Sequence, residues 1–208
     1  MAVGKHPQNR LKIGLIGCGN MGASILRGLV DSSFYPQNIH VFDVDTKKTA
    51  LLKRRMSIRV AKTSRQAASI ADVLILAVKP NMIVPVLDEI ASCTPKTTLV
   101  ISIAAGIPIA RLSKAFKEKC PVVRVMPNMP SLIGAGISAY AMGSNTTSRH
   151  QTLVEAVLKS LGETVQVPEK AMNLVTAVSG SGPAYFFLLA EKMIEAACGM
   201  GLKADTAK

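Results

Sequence analysis

Near its start the chain carries a short apolar run that ends in three glycines. Residues 12–22 read Lys-Ile-Gly-Leu-Ile-Gly-Cys-Gly-Asn-Met-Gly, and the glycines at 17, 19 and 22 have the G-x-G-x-x-G spacing. In a strand–turn–helix unit, the first glycine permits the tight turn, the second lets a pyrophosphate approach the backbone, and the third lets the helix pack on the strand. An apolar, helix-compatible stretch, 23–30, follows at once. Because free N–H groups at a helix start attract phosphate, this segment predicts a dinucleotide-binding unit.

Two acidic residues follow the next predicted strand. That strand is 39–42, and Asp43 comes directly after it. An acidic residue roughly 20 positions beyond the third glycine accepts hydrogen bonds from the adenosine ribose in such folds. Asp43 and Asp45 also suit the N-cap of a helix beginning near Thr46. We assign the ribose to Asp43, and keep Asp45 as a second ribose candidate that better suits the cap.

A basic stretch leaves the choice of cofactor open. Residues 46–71 hold no acidic residue and eight cations: Lys47, Lys48, Lys53, Arg54, Arg55, Arg59, Lys62 and Arg65. In a doubly wound fold this region borders the adenosine, where cations can hold a 2′-phosphate. The alternative interpretation is a solvated helix face. Asp43 favours NAD and the lysine pair at 47–48 favours NADP, so the sequence predicts NADP or NAD.

Composition indicates an enzyme of the cytoplasm. The 208 residues, 49% of them hydrophobic, suffice for one large domain with a small appendage. No apolar run approaches the ~18 residues of a membrane span, and the polar start, 1–10, lacks the core of a signal peptide. The four scattered cysteines have neither metal-ligand nor disulfide-framework spacing, which favours a reducing compartment.

The net charge of +12 raises the question whether the chain binds nucleic acid. Few aromatic residues, no tryptophan and no recognition motif accompany this charge. We therefore interpret the positive charge as a surface property that helps to hold an anionic cofactor, and expect neither nucleic acid nor membrane as a partner.

Predicted strands and helices alternate along the chain. Further strands are predicted at 71–78, 98–104, 122–126, 136–142 and 164–167, and helices at 82–91, 109–119 and 149–161. Alternation of this kind indicates an α/β fold, a Rossmann-like doubly wound sheet with right-handed crossovers. Ligands bind beyond the carboxyl ends of its strands. Four loops rich in small residues leave those ends, at 17–22, 79–81, 104–106 and 127–131.

Small residues cluster again at 179–185, Ser-Gly-Ser-Gly-Pro-Ala-Tyr, before an apolar helix at 185–198. One interpretation is a simple helix start with Pro183 in the first turn. The other is an anion nest whose hydroxyls and N–H groups grip a carboxylate. The helix is apolar on more than one face, which predicts burial among other helices. We expect a tail at 1–10, a dinucleotide-binding domain at 11–168, and an incomplete helical domain at 169–208.

Five motifs together make the chain resemble the pyrroline-5-carboxylate reductases, which form L-proline from its cyclic imine. They are Ile-Gly-Cys-Gly-Asn-Met-Gly at 16–22, Ala-Val-Lys-Pro at 77–80, Ser-Ile-Ala-Ala-Gly at 102–106, Met-Pro-Asn-Met-Pro at 126–130 and the motif at 179–185. With the glycine and acidic positions above, the predicted cofactor set is Ile16, Gly17, Cys18, Gly19, Asn20, Met21, Gly22, Asp43, Asp45, Ala77, Val78, Lys79, Pro80, Ala104, Ala105 and Gly106.

The resemblance also implies a substrate and a partner, and it identifies 169–208 as an incomplete helical substrate and dimerisation domain. The imino acid is expected beside Asn128, Ser179, Ser181 and Gly182, and a homodimer or higher homo-oligomer through the C-terminal helices. Family members continue with further interlocking helices and a Ser-Pro-Gly-Gly-Thr-Thr-like segment that helps to hold the substrate. This chain has no such segment, so we expect it to be truncated before it.

The expected reaction is hydride transfer from C4 of the nicotinamide to C5 of the ring imine, with the enzyme positioning both reactants. No general acid stands out, and neither Lys79 nor the three histidines are assigned that role. A β-hydroxyacid-type dehydrogenase shares the glycine loop but carries a lysine soon after a Gly-Ser-Gly-type segment. In this chain the first lysine after 179–185 is Lys192. A non-catalytic dinucleotide-binding module is the second alternative.

Overall fold

The computed structural model describes residues 10–32 and 34–208. The strands are β1 (Ile13–Ile16), β2 (Ile39–Phe42), β3 (Arg59–Val60), β4 (Val73–Leu76), β5 (Leu99–Ser102), β6 (Val122–Pro127), β7 (Gly136–Met142) and β8 (Gly162–Gln166). The helices are α1 (Asn20–Asp31), α2 (Thr46–Met56), α3 (Ser64–Ser69), α4 (Ile83–Ile90), α5 (Ile109–Ala115), α6 (Ser148–Leu158), α7 (Met172–Val175), α8 (Gly182–Gly199) and α9 (Ala204–Ala207). The predicted tail at 1–10, with His6, lies outside the described residues apart from Arg10.

The strands form a single sheet within the described ranges, in the order β3-β2-β1-β4-β5-β6-β7-β8. The first six strands run parallel, β7 is antiparallel to β6, and β8 is parallel to β7. A 3₁₀ helix, Met129–Ile133, reverses the chain between β6 and β7. The strand order changes direction between β1 and β4. Such a switch point at the carboxyl edge is where doubly wound sheets bind ligands.

The core has two layers, one on each face of the sheet. Every residue of β1, β4 and β5 is buried, as expected for parallel strands covered on both sides. On one face Ile25 of α1 and Leu158 of α6 pack against the sheet. On the other face Leu87 of α4 and Leu112 of α5 do so. The predicted doubly wound α/β fold is confirmed.

Local differences from the predicted elements have simple causes. The strands predicted at 39–42 and 136–142 match the structure residue for residue. The two-residue β3 and the six-residue α3 were not predicted, because elements this short carry too few residues to show a period. Helix α5 ends at Ala115 instead of 119, since Lys117 and Glu118 adopt left-handed φ values of 52° and 58°.

The chain after β8 is helical. A π-helical turn, Thr176–Gly180, connects α7 to α8. Met172 is fully buried in the core beneath the sheet, whereas no residue of α8 is buried and Phe186 is 71% exposed. An apolar helix with this exposure indicates a surface for another protein chain. In the described part of the chain, no helix has the length and apolar character needed to cross a membrane.

Candidate functional site

The three glycines of the first loop occupy different environments. Gly17 has φ of 96°, and a Cβ there would lie 2.5 Å from the carbonyl oxygen of Ala77. A Cβ on Gly22 would collide with the carbonyl of Gly17. A Cβ on Gly19, by contrast, would meet nothing within 4 Å. Gly17 and Gly22 therefore let β1, β4 and α1 pack closely, while Gly19 faces open space at the N-terminus of α1, where a phosphate fits.

Asp43 connects the glycine loop to the turn after β2. Its Oδ2 accepts a hydrogen bond from the N–H of Cys18 at 2.6 Å, and its Oδ1 accepts one from the N–H of Asp45 at 2.8 Å. Asp43 is therefore not the cap of α2. Each carboxylate oxygen can accept a further hydrogen bond, so the predicted contact with the ribose remains compatible with this arrangement.

Asp45 is the cap of α2, as its position indicated. Its Oδ1 accepts the N–H groups of Lys47 at 3.1 Å and Lys48 at 3.3 Å. Its Oδ2 lies 3.4 Å from the Nζ of Lys48. The backbone hydrogen bond from Lys48 is the main cause that holds the pKa of Asp45 below its usual value. A cofactor contact by Asp45 stays a prediction.

A cavity of about 260 Å³ opens between these loops. Its lining contains seven of the predicted cofactor residues: Ile16, Gly17, Gly19, Asp43, Ala77, Val78 and Lys79. The other lining residues are Phe42, Val44, Lys48, Met82 and Val86. The walls are mostly apolar, which suits a flat aromatic ring held against a few polar groups.

A larger cavity of about 500 Å³ lies beside the start of β6 and the end of β7. It contains none of the predicted site residues, and its charged lining groups are Glu118 and Glu169. Two carboxylates disfavour an anionic cofactor, so the smaller cavity is the better cofactor site.

Cys18 lies beneath the loop. Its side chain is 4% exposed, and its N–H is bonded to Asp43. Burial, together with the charge of Asp43, raises the pKa of the Cys18 thiol to about 12. The neutral thiol therefore supports the loop from the core side. A cofactor contact by Cys18 stays a prediction.

The remaining predicted cofactor residues lie along the same edge of the sheet. Asn20 and Met21 form the first turn of α1, and Pro80 opens a 3₁₀ helix after β4. Residues 104–106 follow β5, with Ala104 buried, Ala105 half-buried and Gly106 exposed at φ of 75°. Their contact with a cofactor stays a prediction.

Asn128 follows β6, the next strand along this edge. Its Oδ1 accepts hydrogen bonds from the N–H of Ile137 at 3.0 Å and from Ser131 Oγ at 3.3 Å. Its Nδ2 donates to no described residue. The fold therefore uses the amide oxygen of Asn128 but not its amide N–H groups. A substrate contact through these N–H groups stays a prediction.

The segment with Ser179, Ser181 and Gly182 packs on the end of β6. A Cβ on Gly180 would lie 2.7 Å from Cε of Met126. The expected anion nest is not formed, because no residue of 176–182 has a positive φ and Ser181 N–H donates to the carbonyl of Thr176 in the π-helical turn. Such turns occur frequently at functional sites. Substrate contact by these three residues stays a prediction.

Four cavity residues, Phe42, Val44, Met82 and Val86, were missed in the sequence, and only the last two left a signal there. Met82 and Val86 are four residues apart, on one face of the turn that follows the 77–80 loop. Val44 is 86% exposed next to Asp43, an unusual place for an apolar side chain. Phe42 lacked a signal, since the end of a strand explains it equally well. Lys48 was considered in the sequence only as a cation for a 2′-phosphate or as part of a solvated helix face.

Of the residues considered for other roles, His40, His150 and Lys192 do not line the cavity, whereas Lys79 does. His40 pairs with Gly14 and Arg59 inside the sheet, and His150 forms a capping box with Thr147 at the start of α6. Burial is the main cause that lowers the pKa of both imidazoles. Lys192 forms an exposed ion pair with Glu195 at 2.7 Å.

The fold and the glycine cradle, the loop 17–22 at the start of α1, define a dinucleotide-binding protein of the doubly wound α/β class. Residues 12–106 match the model of the coenzyme F420-dependent NADP oxidoreductases, and residues 169–208 match that of the pyrroline-5-carboxylate reductase dimerisation domain. Over 94% of its length the chain is 39% identical to pyrroline-5-carboxylate reductase of Corynebacterium melassecola, 74% of which is covered. The chain therefore belongs to the pyrroline-5-carboxylate reductase family.

Two solved structures support the same family membership. A pyrroline-5-carboxylate reductase from Coxiella burnetii superposes with a TM-score of 0.86 at 34% identity, over 96% of this chain and 74% of that one. The pyrroline carboxylate reductase of Plasmodium falciparum, solved with NADP bound, has the same TM-score and coverage at 28% identity. The resemblance drawn from the five motifs is confirmed.

Proposed function

We propose that this protein reduces 1-pyrroline-5-carboxylate to L-proline, with NADPH or NADH as hydride donor. The observation that carries the proposal is that the glycine cradle and both predicted substrate segments lie along one edge of one sheet. Membership of the reductase family supports the same reaction. The β-hydroxyacid alternative requires a catalytic lysine soon after the Gly-Ser-Gly-type segment. Lys192, the first lysine after that segment here, is exposed and paired with Glu195, so it does not fit that role.

The strand order gives the proposed direction of the cofactor. Asp43 follows β2, the glycine loop follows β1, and residues 77–80 and 104–106 follow β4 and β5, which are neighbours in that order. Neighbouring strands lie about 4.8 Å apart. A cofactor with its ribose at Asp43 and its pyrophosphate at Gly19 therefore extends toward β5 and β6. In the proposed arrangement the adenine lies against the apolar wall of the cavity.

The bound cofactor would supply a hydride from nicotinamide C4. The protein's part is to hold C5 of the imine against the donor and to keep water away, because orientation removes much of the entropic barrier. Asn128 follows β6 and offers its amide N–H groups at this end of the cleft. C5 of the imine is most electrophilic when the ring nitrogen is protonated. A substrate that binds already protonated needs no general acid from the chain for the hydride step itself.

The substrate carboxylate gives the protein a charged group to bind. Ser179 is half-buried, and its hydroxyl forms no hydrogen bond to any described residue. Ser181 Oγ already donates to the carbonyl of Thr176 at 3.3 Å. We therefore place the carboxylate at Ser179 first, with Ser181 and Gly182 beside it.

The same proposal covers assembly and location. Residues 11–168 would form the dinucleotide-binding domain, and 169–208 would supply helices to a homodimer or larger homo-oligomer through the exposed apolar face of α8. A reducing, cytoplasmic location fits the four cysteines, which are free thiols with two of them buried.

Steady-state turnover of the full-length gene product tests the proposal. We expect oxidation of NADPH or NADH that depends on pyrroline-5-carboxylate, and a KM for the imine raised about tenfold or more in Ser179→Ala, since a hydrogen bond to a charged group contributes about 1.5–3 kcal/mol. Ser144→Ala, on an exposed loop, is the matched control and should behave as wild type. Turnover of a 3-hydroxy acid in place of the imine would overturn the proposal.

A further inference from the structure

A buried arginine joins the sheet to the helical segment that follows it. Arg124, in the middle of β6, has a side chain that is 5% exposed. Its Nη2 donates to Oδ1 of Asn173 at 3.0 Å, and its Nη1 lies 3.6 Å from Oε1 of Glu169. The same Oε1 accepts the N–H of Ile109, at the start of α5, at 2.6 Å. One guanidinium thus connects β6 to two residues of the segment 169–175 and, through Glu169, to α5.

Burying this charge is costly unless it is paired. A desolvated guanidinium must recover its lost hydration from partners with good geometry. Apolar side chains would fill the same space without such a requirement, as Met172 does in the same segment. An apolar contact alone also permits sliding, whereas the planar fork of arginine fixes the direction of each hydrogen bond.

The same face of β6 continues to the predicted substrate site. Side chains two positions apart on a strand point to the same face, so Arg124 and Met126 lie side by side. Arg124 holds Asn173, and Met126 contacts Gly180. The helical stretch from 173 to 180 is therefore attached to β6 at two points, and Asn128 follows two residues beyond Met126.

We infer that Arg124 is a positioning residue for the substrate side of the site. Through Asn173 and Glu169 it fixes the helical stretch on β6, and this sets the separation between Ser179 and Asn128. The glycine cradle is built on β1, β4 and α1, outside this network. Arg124 therefore governs binding of the imino acid and leaves cofactor binding unchanged. The inference rests on the proposed function for the identity of the substrate.

The test uses the full-length protein with Arg124→Lys and Asn173→Ala. Lysine keeps the charge but cannot reach both partners as a fork, and Asn173 is exposed, so its replacement leaves the fold intact. We expect at least a tenfold rise in KM for pyrroline-5-carboxylate in each variant, with the Kd for NADPH within twofold of wild type. The double variant should show no more than the larger single effect. Arg65→Lys, at a surface arginine that donates to the carbonyl of Glu89 at 2.8 Å, is the matched control.

Hydrogen exchange separates this inference from the proposed function. Amides of 172–182 should exchange at least tenfold faster in Asn173→Ala, with 13–106 unchanged, whether or not the imine is the substrate. Unchanged exchange at 172–182 or an unchanged KM would overturn the positioning role. So would a loss of NADPH binding in parallel with faster exchange throughout, because that pattern indicates a purely structural arginine.

Discussion

At the scale of single residues, the glycine loop separates packing from binding. A Cβ on Gly17 or Gly22 would collide with a backbone carbonyl oxygen, whereas a Cβ on Gly19 would enter open space. Substitutions at these positions should therefore have different effects. A side chain at 22 disturbs the fold, and a side chain at 19 occupies the space intended for a ligand.

We predict that Gly19→Val lowers affinity for NADPH more than 100-fold with a shift of only a few degrees in the unfolding midpoint. Valine fits the extended conformation at this cap, with φ of −66° and ψ of −174°, and costs the helix about 1 kcal/mol or less. Gly22→Ala should instead destabilise by about 2 kcal/mol or more. Fluorescence titration and thermal unfolding measure both quantities. Retained affinity in Gly19→Val would remove the loop from the site.

Asp43 has an observed role in the loop and a proposed role at the ribose. We predict that Asp43→Ser lowers catalytic efficiency with both cofactors, because serine cannot accept the N–H groups of both Cys18 and Asp45. The ratio of NADPH to NADH efficiency should rise about 10- to 100-fold, since the carboxylate no longer repels a 2′-phosphate; each factor of ten corresponds to about 1.4 kcal/mol. Asp45→Ser is the control, because serine also caps helices. An equal ratio in wild type and Asp43→Ser would contradict the ribose assignment.

At the scale of elements, continuous apolar runs and glycine-rich ends predicted most of the sheet. The order of loops along the carboxyl edge followed, because parallel strands share that edge. The reversal at 129–133 and the direction of β7 were not predictable, since strand polarity depends on how the connection packs. The π-helical turn at 176–180 was missed for a related reason: serine and glycine favour a cap locally, but packing on β6 holds the segment in a helix.

The side walls of the cavity likewise could not be predicted as a group from the sequence. Met82, Val86 and Val44 come from different elements, and only the folded sheet brings them together. The buried arginine on β6 gave no signal either, because its partners lie 45 and 49 residues further along the chain.

We predict that Phe186→Asp and Leu189→Asp separate the oligomer into single chains. These side chains are 71% and 59% exposed in the isolated chain, so the change costs the subunit little. In an interface each would bury an unpaired charge, which costs about 3–5 kcal/mol. Light scattering measures the mass, with Ser144→Asp as the control of equal charge. An unchanged mass would exclude α8 from the interface.

At the scale of the whole molecule, one sheet supports two kinds of surface. Its carboxyl edge carries the glycine cradle, Asp43 and the loops after β4, β5 and β6. Its β6 face carries the arginine network and the start of the helical segment. In the proposed arrangement, the site therefore depends on how firmly the helical segment is attached to β6, the strand that ends beside the expected position of the nicotinamide.

Isotope transfer from the cofactor to the product measures the proposed hydride transfer most directly. The full-length protein should convert pyrroline-5-carboxylate and NADPH deuterated at the transferred position of C4 into L-proline with one deuterium at C5, detected by mass spectrometry and NMR. Gly19→Val should give none under the same conditions. Unlabelled proline, or no proline at all, would contradict direct hydride transfer at this edge of the sheet.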